Sequence, residues 1–252
     1  MEFIAETGRI SKFFQSAMYW MFRPPFRYKL VLEQFLFVAN KSLFIICVTS
    51  IFTGMVFAVQ VYFGFRIINA DGLVGPTTAI AFVRELGPVF TAIVVTGRCG
   101  AAMAAQLGTM RVTEQIDAMD VMAVNSIHYL VVPRLLASFI AMPLLTALFI
   151  FVGNVGSNLT GILQLKIDPV IYMSHLQEFV LVRDLAQGLI KGAAFGIIFA
   201  TIGTYKGYYT QGGAEAVGRS TNQAVVVTLV LILVSDYFLT LMIRALLYPT
   251  QI

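Results

Sequence analysis

Charged residues are scarce in this chain of 252 residues: they make up 12% of the sequence, whereas hydrophobic residues make up 58%. Soluble domains carry roughly 25% charged residues. A water-soluble protein of this length would lack the polar side chains needed to cover its surface. The composition therefore excludes an ordinary soluble domain and predicts an integral membrane protein.

Residues that carry enzyme and metal chemistry are also few. The chain has two cysteines and two histidines, and neither pair shows the spacing of a zinc site or of a disulfide framework. It contains no GxxxxGK[ST] phosphate loop, no HExxH and no GxSxG. We predict no metal site, no cofactor and no enzymatic activity here, so any energy from ATP must come from another chain.

The net charge of +4 does not by itself indicate a nucleic-acid partner. Membrane proteins with basic cytoplasmic loops show the same excess. No patch that interleaves basic with aromatic residues stands out, so we predict no nucleic-acid binding.

Long uncharged runs dominate what is present. Residues 42–65 contain no charged residue, and about 20 apolar residues suffice to cross the hydrocarbon core. Further apolar stretches predict spans near 77–97, 135–163, 185–205 and 224–247. The predicted fold class is an all-α integral membrane protein with about five transmembrane helices.

The segment before the first span has an amphipathic pattern. Its apolar residues recur at helical spacing, with basic residues on the other face; they are Ile10, Phe13, Phe14, Ala17, Met18 and Met21. Pro24 and Pro25 end this helix. We expect residues 1–41 to form an N-terminal amphipathic segment at the membrane interface and residues 42–252 to form the transmembrane domain.

The distribution of lysine and arginine predicts the orientation. Most of those outside the spans lie before the first span, between spans two and three, or between spans four and five. Only Arg66, Lys166 and Arg183 lie in the other connections. Because basic loops stay inside, the N-terminus is expected in the cytoplasm and the C-terminus on the outer side.

Two adjacent charges interrupt the second apolar stretch. Each costs at least roughly 2.5 to 3.5 kcal/mol in a membrane, and neighbours on a helix do not face each other, so each needs a partner elsewhere. Two interpretations stay open: the charges line or gate a substrate cavity, or they form ion pairs that fix helix register. The residues concerned are Arg84, Glu85, Leu86, Gly87, Pro88, Lys191 and Asp236.

Small residues repeat every four positions in span four, at Gly188, Gly192 and Gly196. Such a stripe lets helix backbones approach closely. Packing within the chain and packing against a second copy both fit this pattern.

The segment from Gly108 to Met122 is typical of a short helix between spans two and three. Its methionines and acidic edge suit a partner's groove. A helix packed on its own membrane domain fits the pattern equally well.

Several motifs together resemble the MlaE (YrbE-like) permease family of ABC transporters associated with MCE-domain proteins. The resemblance covers nearly the whole chain, and its central block of about fifty residues is specific. The motifs are Arg84-Glu85-Leu86-Gly87-Pro88, Gly97-Arg98, Leu107-Gly108-Thr109-Met110, Thr113-Glu114-Gln115-Ile116-Asp117-Ala118 and Tyr129-Leu130-Val131-Val132-Pro133-Arg134.

The resemblance implies a homodimeric permease in a bacterial inner membrane that moves phospholipid or a similar lipid between inner and outer membranes. It implies cytoplasmic ATPase subunits that bind ATP and Mg²⁺, a periplasmic ring of MCE-domain protein, and room for a small regulatory subunit. The short helix is then the coupling helix that docks in the ATPase. Its residues are Arg111, Glu114, Gln115, Ile116, Asp117, Ala118, Met119 and Asp120.

One position departs from the family pattern: Gln106 stands where a glutamate is expected. An ion pair made by that acid in relatives would be weakened or rewired here.

Two other functions fit the residues. A secondary transporter would relay protons through Glu85, Lys191 and Asp236, and would work without an ATPase. A membrane scaffold would anchor partners and transport nothing.

Overall fold

The computed structural model describes residues 2–247, and every regular element in that range is helical, as predicted. The helices are α1 (Glu2–Met21), α2 (Tyr28–Ala39), α3 (Leu43–Arg66), α4 (Val74–Ala81), α5 (Gly87–Val95), α6 (Ala101–Val112), α7 (Gln115–Val121), α8 (Val132–Leu159), α9 (Pro169–Phe179), α10 (Val182–Tyr208) and α11 (Ala214–Leu247).

Five helical segments of the described chain are long and apolar enough to cross a membrane, which confirms the predicted fold class. They are Tyr28–Arg66, Asp71–Val112, Ile127–Gln164, Val182–Tyr208 and Ala214–Leu246. Each is longer than the sequence range because hydropathy falls before the helix ends. The first begins with α2, which the sequence did not separate from the N-terminal segment; the division at residue 41 stays a prediction.

Four π-helical turns interrupt the long segments, at Phe82–Leu86, Thr96–Gly100, Ile127–Val131 and Thr160–Gln164. In the first, the N–H of Gly87 donates to the carbonyl of Phe82, five residues back. Pro88 follows directly and has no N–H to continue a regular α-helical ladder. The third π turn likewise lies just before a proline, Pro133. Proline therefore explains two of the four π turns.

The chain divides into two compact units. Unit one comprises residues up to Lys41, Ala92–Ala141 and Ala193–Ser235. Unit two comprises Ser42–Thr91, Met142–Gly192 and the residues from Asp236 onward.

In unit one, α1 packs through the apolar face that the sequence predicted. Phe13 is buried, and its ring centroid lies 5.5 Å from that of Tyr205 and 5.6 Å from that of Tyr208. Ala17 is buried one turn further along, and Trp20 stacks on His128 at 5.8 Å. The amphipathic helix therefore lies on protein as well as presenting a polar side outward.

In unit two, glycines allow helix backbones to touch. A side chain at Gly54 would collide with the backbone of Gly153, so only glycine permits α3 to approach α8 this closely. Ser50 donates to the carbonyl of Phe149 at the same crossing. Contacts between small residues thus set the helix spacing.

The helix α9 was not predicted, although the sequence carries its start signal. The side chain of Asp168 accepts hydrogen bonds from the N–H groups of Val170 and Ile171, and Pro169 occupies the first turn. Tyr172 on α9 is buried against Val74 and Ile167. A short capped helix is missed when only long apolar runs are sought.

Candidate functional site

Three charged side chains from three helical segments meet in unit two. Lys191 on α10 is fully buried, and its Nζ lies 2.5 Å from Oε2 of Glu85 and 2.9 Å from Oδ1 of Asp236. Glu85 lies in the first π turn and Asp236 in α11. Among the candidates for pairing that the sequence offered, these three are brought together.

The cluster, defined as Glu85, Lys191 and Asp236, carries two carboxylates and one ammonium. A buried ammonium is tolerated only when it is paired and hydrogen-bonded. The Glu85 side chain is 41% exposed and that of Asp236 20%, whereas Lys191 is closed off. The cluster therefore presents carboxylate, rather than ammonium, at its open side.

Arg84 does not join this cluster. Its Nε donates to Oδ1 of Asp184 at 2.8 Å. Asp184 is fully buried, and its other carboxylate oxygen accepts from the N–H of Leu181 beside the start of α10. Asp184 was missed; the signal was an acidic residue just before a predicted span, at a helix start where the helix dipole favours it.

The three residues that follow Arg84 and Glu85 in the sequence are packed inside the protein. Gly87 and Pro88 are buried and Leu86 is half-buried. A side chain at Gly87 would meet Ile150 within 3 Å. Their predicted role in lining or gating a cavity stays a prediction.

The glycine stripe of α10 faces helices of the same chain at two positions. A side chain added at Gly188 would collide with the backbone carbonyl of Val83. One added at Gly192 would come within 2.6 Å of Oγ1 of Thr146. Gly196 is buried as well. Packing within the chain therefore accounts for Gly188 and Gly192.

The segment predicted as one helix over residues 108–122 is two helices. The first, α6, ends at Val112, Glu114 adopts a left-handed φ of 58°, and α7 follows. Arg111 thus belongs to the last turn of α6, although its Nη1 contacts Oδ1 of Asp117 at 2.7 Å. The sequence showed no signal for the break, because a left-handed glutamate is unusual.

Most of α7 is exposed. Ile116 is buried and Met119 is half-buried, so they anchor the helix on unit one. Glu114, Gln115, Asp117, Ala118 and Asp120 are exposed, as are Val121 and Met122 beyond them. An acidic helix with apolar side chains at its end is therefore open to a partner.

Gln106 contacts a buried arginine. Nη2 of Arg134 lies 3.4 Å from Oε1 of Gln106, and Nη1 donates to the carbonyl of Leu130 at 2.5 Å. Arg134 is 7% exposed. Gln106, the residue that departs from the family pattern, therefore lies beside a buried cation. Arg134 contacts an amide there, where a glutamate would supply a carboxylate.

A sequence profile of the family described as Permease MlaE matches residues 31–242. The chain belongs to the MlaE permease family. The match includes the buried cluster, Asp184, Gln106, Arg134 and α7.

Relatives agree with this membership. The chain is 39% identical to the probable ABC transporter permease protein of Rickettsia bellii over 92% of this chain and 90% of that one. It is 42% identical to a probable ABC transporter permease protein of Synechocystis, over 83% and 80%. It is 33% identical to the intermembrane phospholipid transport system permease protein MlaE of Haemophilus influenzae, over 84% and 82%.

Proposed function

We propose that this chain is the membrane-spanning subunit of an ABC transporter that moves phospholipid, or a similar lipid, between the inner and outer membranes. The observation that carries the proposal is the MlaE family match over residues 31–242. A relative that the chain matches over 82% of that relative's length is named as a phospholipid transport permease, and five membrane-crossing segments are what such a subunit requires.

The chain does no covalent chemistry in this proposal. ATP and Mg²⁺ are bound by separate cytoplasmic ATPase subunits, since the sequence carries no phosphate loop. Two copies of the chain form the permease in the inner membrane, with the N-terminus cytoplasmic and the C-terminus periplasmic. A periplasmic ring of MCE-domain protein receives or delivers the lipid, and the assembly leaves room for a small cytoplasmic regulatory subunit.

The helix α7 is the proposed contact with the ATPase. Its exposed acidic residues suit a basic groove, and Ile116 fixes it to unit one. ATP can shift the permease between two states only if those states differ in affinity for the ATPase conformations. A rigidly anchored, exposed helix provides that link.

The buried cluster is the proposed polar wall of the lipid path. Intramembrane ionisable residues face protein or water and mark functional sites. The half-exposed carboxylate of Glu85 is the group that a passing headgroup meets, while Lys191, itself paired with Asp236, holds it in place.

Reconstitution tests the function directly. Liposomes that contain the chain and fluorescent phospholipid should show ATP-dependent transfer only when the ATPase subunits are added. Glu85→Ala should slow transfer by at least tenfold, whereas the matched control Glu215→Ala, on an exposed carboxylate, should not. Transfer by the chain alone under a proton gradient would replace this proposal with the secondary transporter, and normal transfer by Glu85→Ala would remove the cluster from the path.

The coupling assignment is tested by charge reversal on α7. Asp117→Lys and Asp120→Lys should each weaken co-purification of the ATPase by severalfold, because a partner groove that accepts acids repels lysine. Glu178→Lys reverses an exposed acid on α9 and serves as the control. Unchanged co-purification in both α7 variants would contradict the assignment.

A further inference from the structure

A basic cavity lies beneath the N-terminal helix of unit one. It has a volume of about 660 Å³, within the range of roughly 300–1,000 Å³ typical of ligand sites. Its walls come from α1, from the end of α10 and from the start of α11. None of its lining residues belongs to the buried cluster or to α7.

The charges in this cavity are unbalanced. Arg9, Lys12 and Lys206 line it, with Glu6 as the one carboxylate among the lining residues. Glu6 lies 2.5 Å from Nζ of Lys206 and neutralises it. Among the side chains that the structure describes, Arg9 and Lys12 have no acidic partner within 4 Å, so the cavity keeps two uncompensated positive charges.

Neutral donors complete the walls. Ser16, Ser220, Tyr209 and Gln223 also line the cavity, and Oε1 of Gln223 accepts from Nζ of Lys206 at 3.4 Å. Burial, with Tyr208 and Tyr205 nearby, raises the pKa of the Tyr209 hydroxyl. A set of arginine, lysine and hydroxyl donors suits a phosphate ligand, which has several oxygens to accept hydrogen bonds, better than it suits a carboxylate ligand.

A second, apolar cavity lies along the same helix. It has a volume of about 260 Å³, and its lining residues are Ile10, Ser11, Phe14, Ile197, Ile198, Thr201, Ile202 and Leu231. Leu231 follows Gln223 by eight residues, which is about 12 Å along a helix. The apolar cavity is thus deeper in the membrane-crossing segments than the basic one, as acyl chains are deeper than their headgroup.

We propose that the basic cavity binds the phosphate of an anionic phospholipid headgroup, with an acyl chain of the same lipid along Ile10 and Phe14. This site goes beyond the transport function proposed above, because it does not require that the lipid be moved. A bound lipid would bridge α1 to α10 and α11. The same phosphate chemistry would also admit a free phosphate ester, which the experiment separates.

The test uses the detergent-purified full chain and native mass spectrometry. The probes are dihexanoyl phosphatidylglycerol, dihexanoyl phosphatidylcholine and glycerol phosphate. We expect phosphatidylglycerol to bind at least tenfold more tightly than the other two. Lipid held elsewhere on the chain is common to all variants and cancels when variants are compared.

The double variant Arg9→Gln/Lys12→Gln should weaken phosphatidylglycerol binding about 30-fold, since each basic residue near an anionic lipid contributes about fivefold. Both positions are exposed on a helix, so glutamine preserves the fold. The control Arg23→Gln/Lys41→Gln removes the same charge from exposed residues outside the cavity and should change binding less than twofold.

Glu6→Gln should act in the opposite direction and tighten binding about fivefold, because it frees Lys206 for the ligand. Its control is Glu215→Gln, which removes an exposed carboxylate elsewhere in unit one.

Equal binding by wild type and Arg9→Gln/Lys12→Gln would overturn the site, and so would an equal loss of binding in the control Arg23→Gln/Lys41→Gln. Competition by glycerol phosphate as strong as that of the lipid would overturn the lipid source. If the chain fails to transport lipid but the variants bind phosphatidylglycerol as expected, the proposed transport function is wrong and the lipid site stands.

Discussion

The two units each bury a cation, but they satisfy it differently. In unit two, Lys191 is held by two carboxylates within 2.9 Å. In unit one, Arg134 is held by a backbone carbonyl and the amide of Gln106. A point charge such as ammonium needs opposite charge to leave water, whereas the guanidinium spreads its charge over several donors that neutral oxygens can meet.

The largest loss of stability is expected when the ammonium of Lys191 is removed from between the carboxylates of Glu85 and Asp236. Lys191→Met leaves two carboxylates without a counter-ion and should lower the free energy of unfolding by about 3–5 kcal/mol. A thermal melt of the purified chain measures this. Lys41→Met, at an exposed lysine, is the control and should leave the melt within a degree or two.

Arg134→Met should cost less, about 1–3 kcal/mol, because it orphans only neutral acceptors. The same thermal melt compares it with Lys191→Met. A larger loss for Arg134→Met than for Lys191→Met would reverse the distinction between the two units.

Removing one carboxylate from the cluster should have a graded effect. Asp236→Asn should cost about 2 kcal/mol and Glu85→Gln about 1 kcal/mol, because the Glu85 side chain is more exposed and water replaces part of its role. Chemical denaturation of the two variants side by side measures the order. Equal losses would mean that exposure does not decide the strength of these pairs.

The smallest effect is expected for Gln106→Glu, which gives Arg134 the carboxylate it lacks. We expect a gain of about 1 kcal/mol, since the pair also has to be desolvated. The control Gln15→Glu places the same change at an exposed position. Destabilisation by Gln106→Glu alone would show that the arginine site is built for a neutral partner.

Much of the fold followed from the apolar runs, because hydropathy depends on composition that is visible residue by residue. All five predicted spans correspond to helical segments of the structure. Their ends did not follow, since α2 and the last turns of several helices carry charged residues, such as Lys29, Arg111 and Lys206, that lower the local hydropathy. The family resemblance was confirmed by the match over residues 31–242.

The pairing within the site was only partly predictable. The sequence offered Lys191 and Asp236 as partners for the charges in span two, and the structure joins Lys191 to both Glu85 and Asp236. It gave no reason to assign Asp184 to Arg84, because that pairing depends on which faces of two helices meet. The break at Glu114 depends on a single backbone angle that no periodicity encodes.

The π turn at Phe82–Leu86 also sets the rotational phase of everything that follows it in the segment. A π turn holds one residue more than an α turn, and one residue corresponds to about 100° of rotation. Removing a single residue there would rotate Glu85, and the residues before it, by about 100° relative to α5. The segment would be only one residue shorter and about as apolar, yet Glu85 would turn away from Lys191. Insertions and deletions of one residue are therefore as consequential here as the loss of a charge.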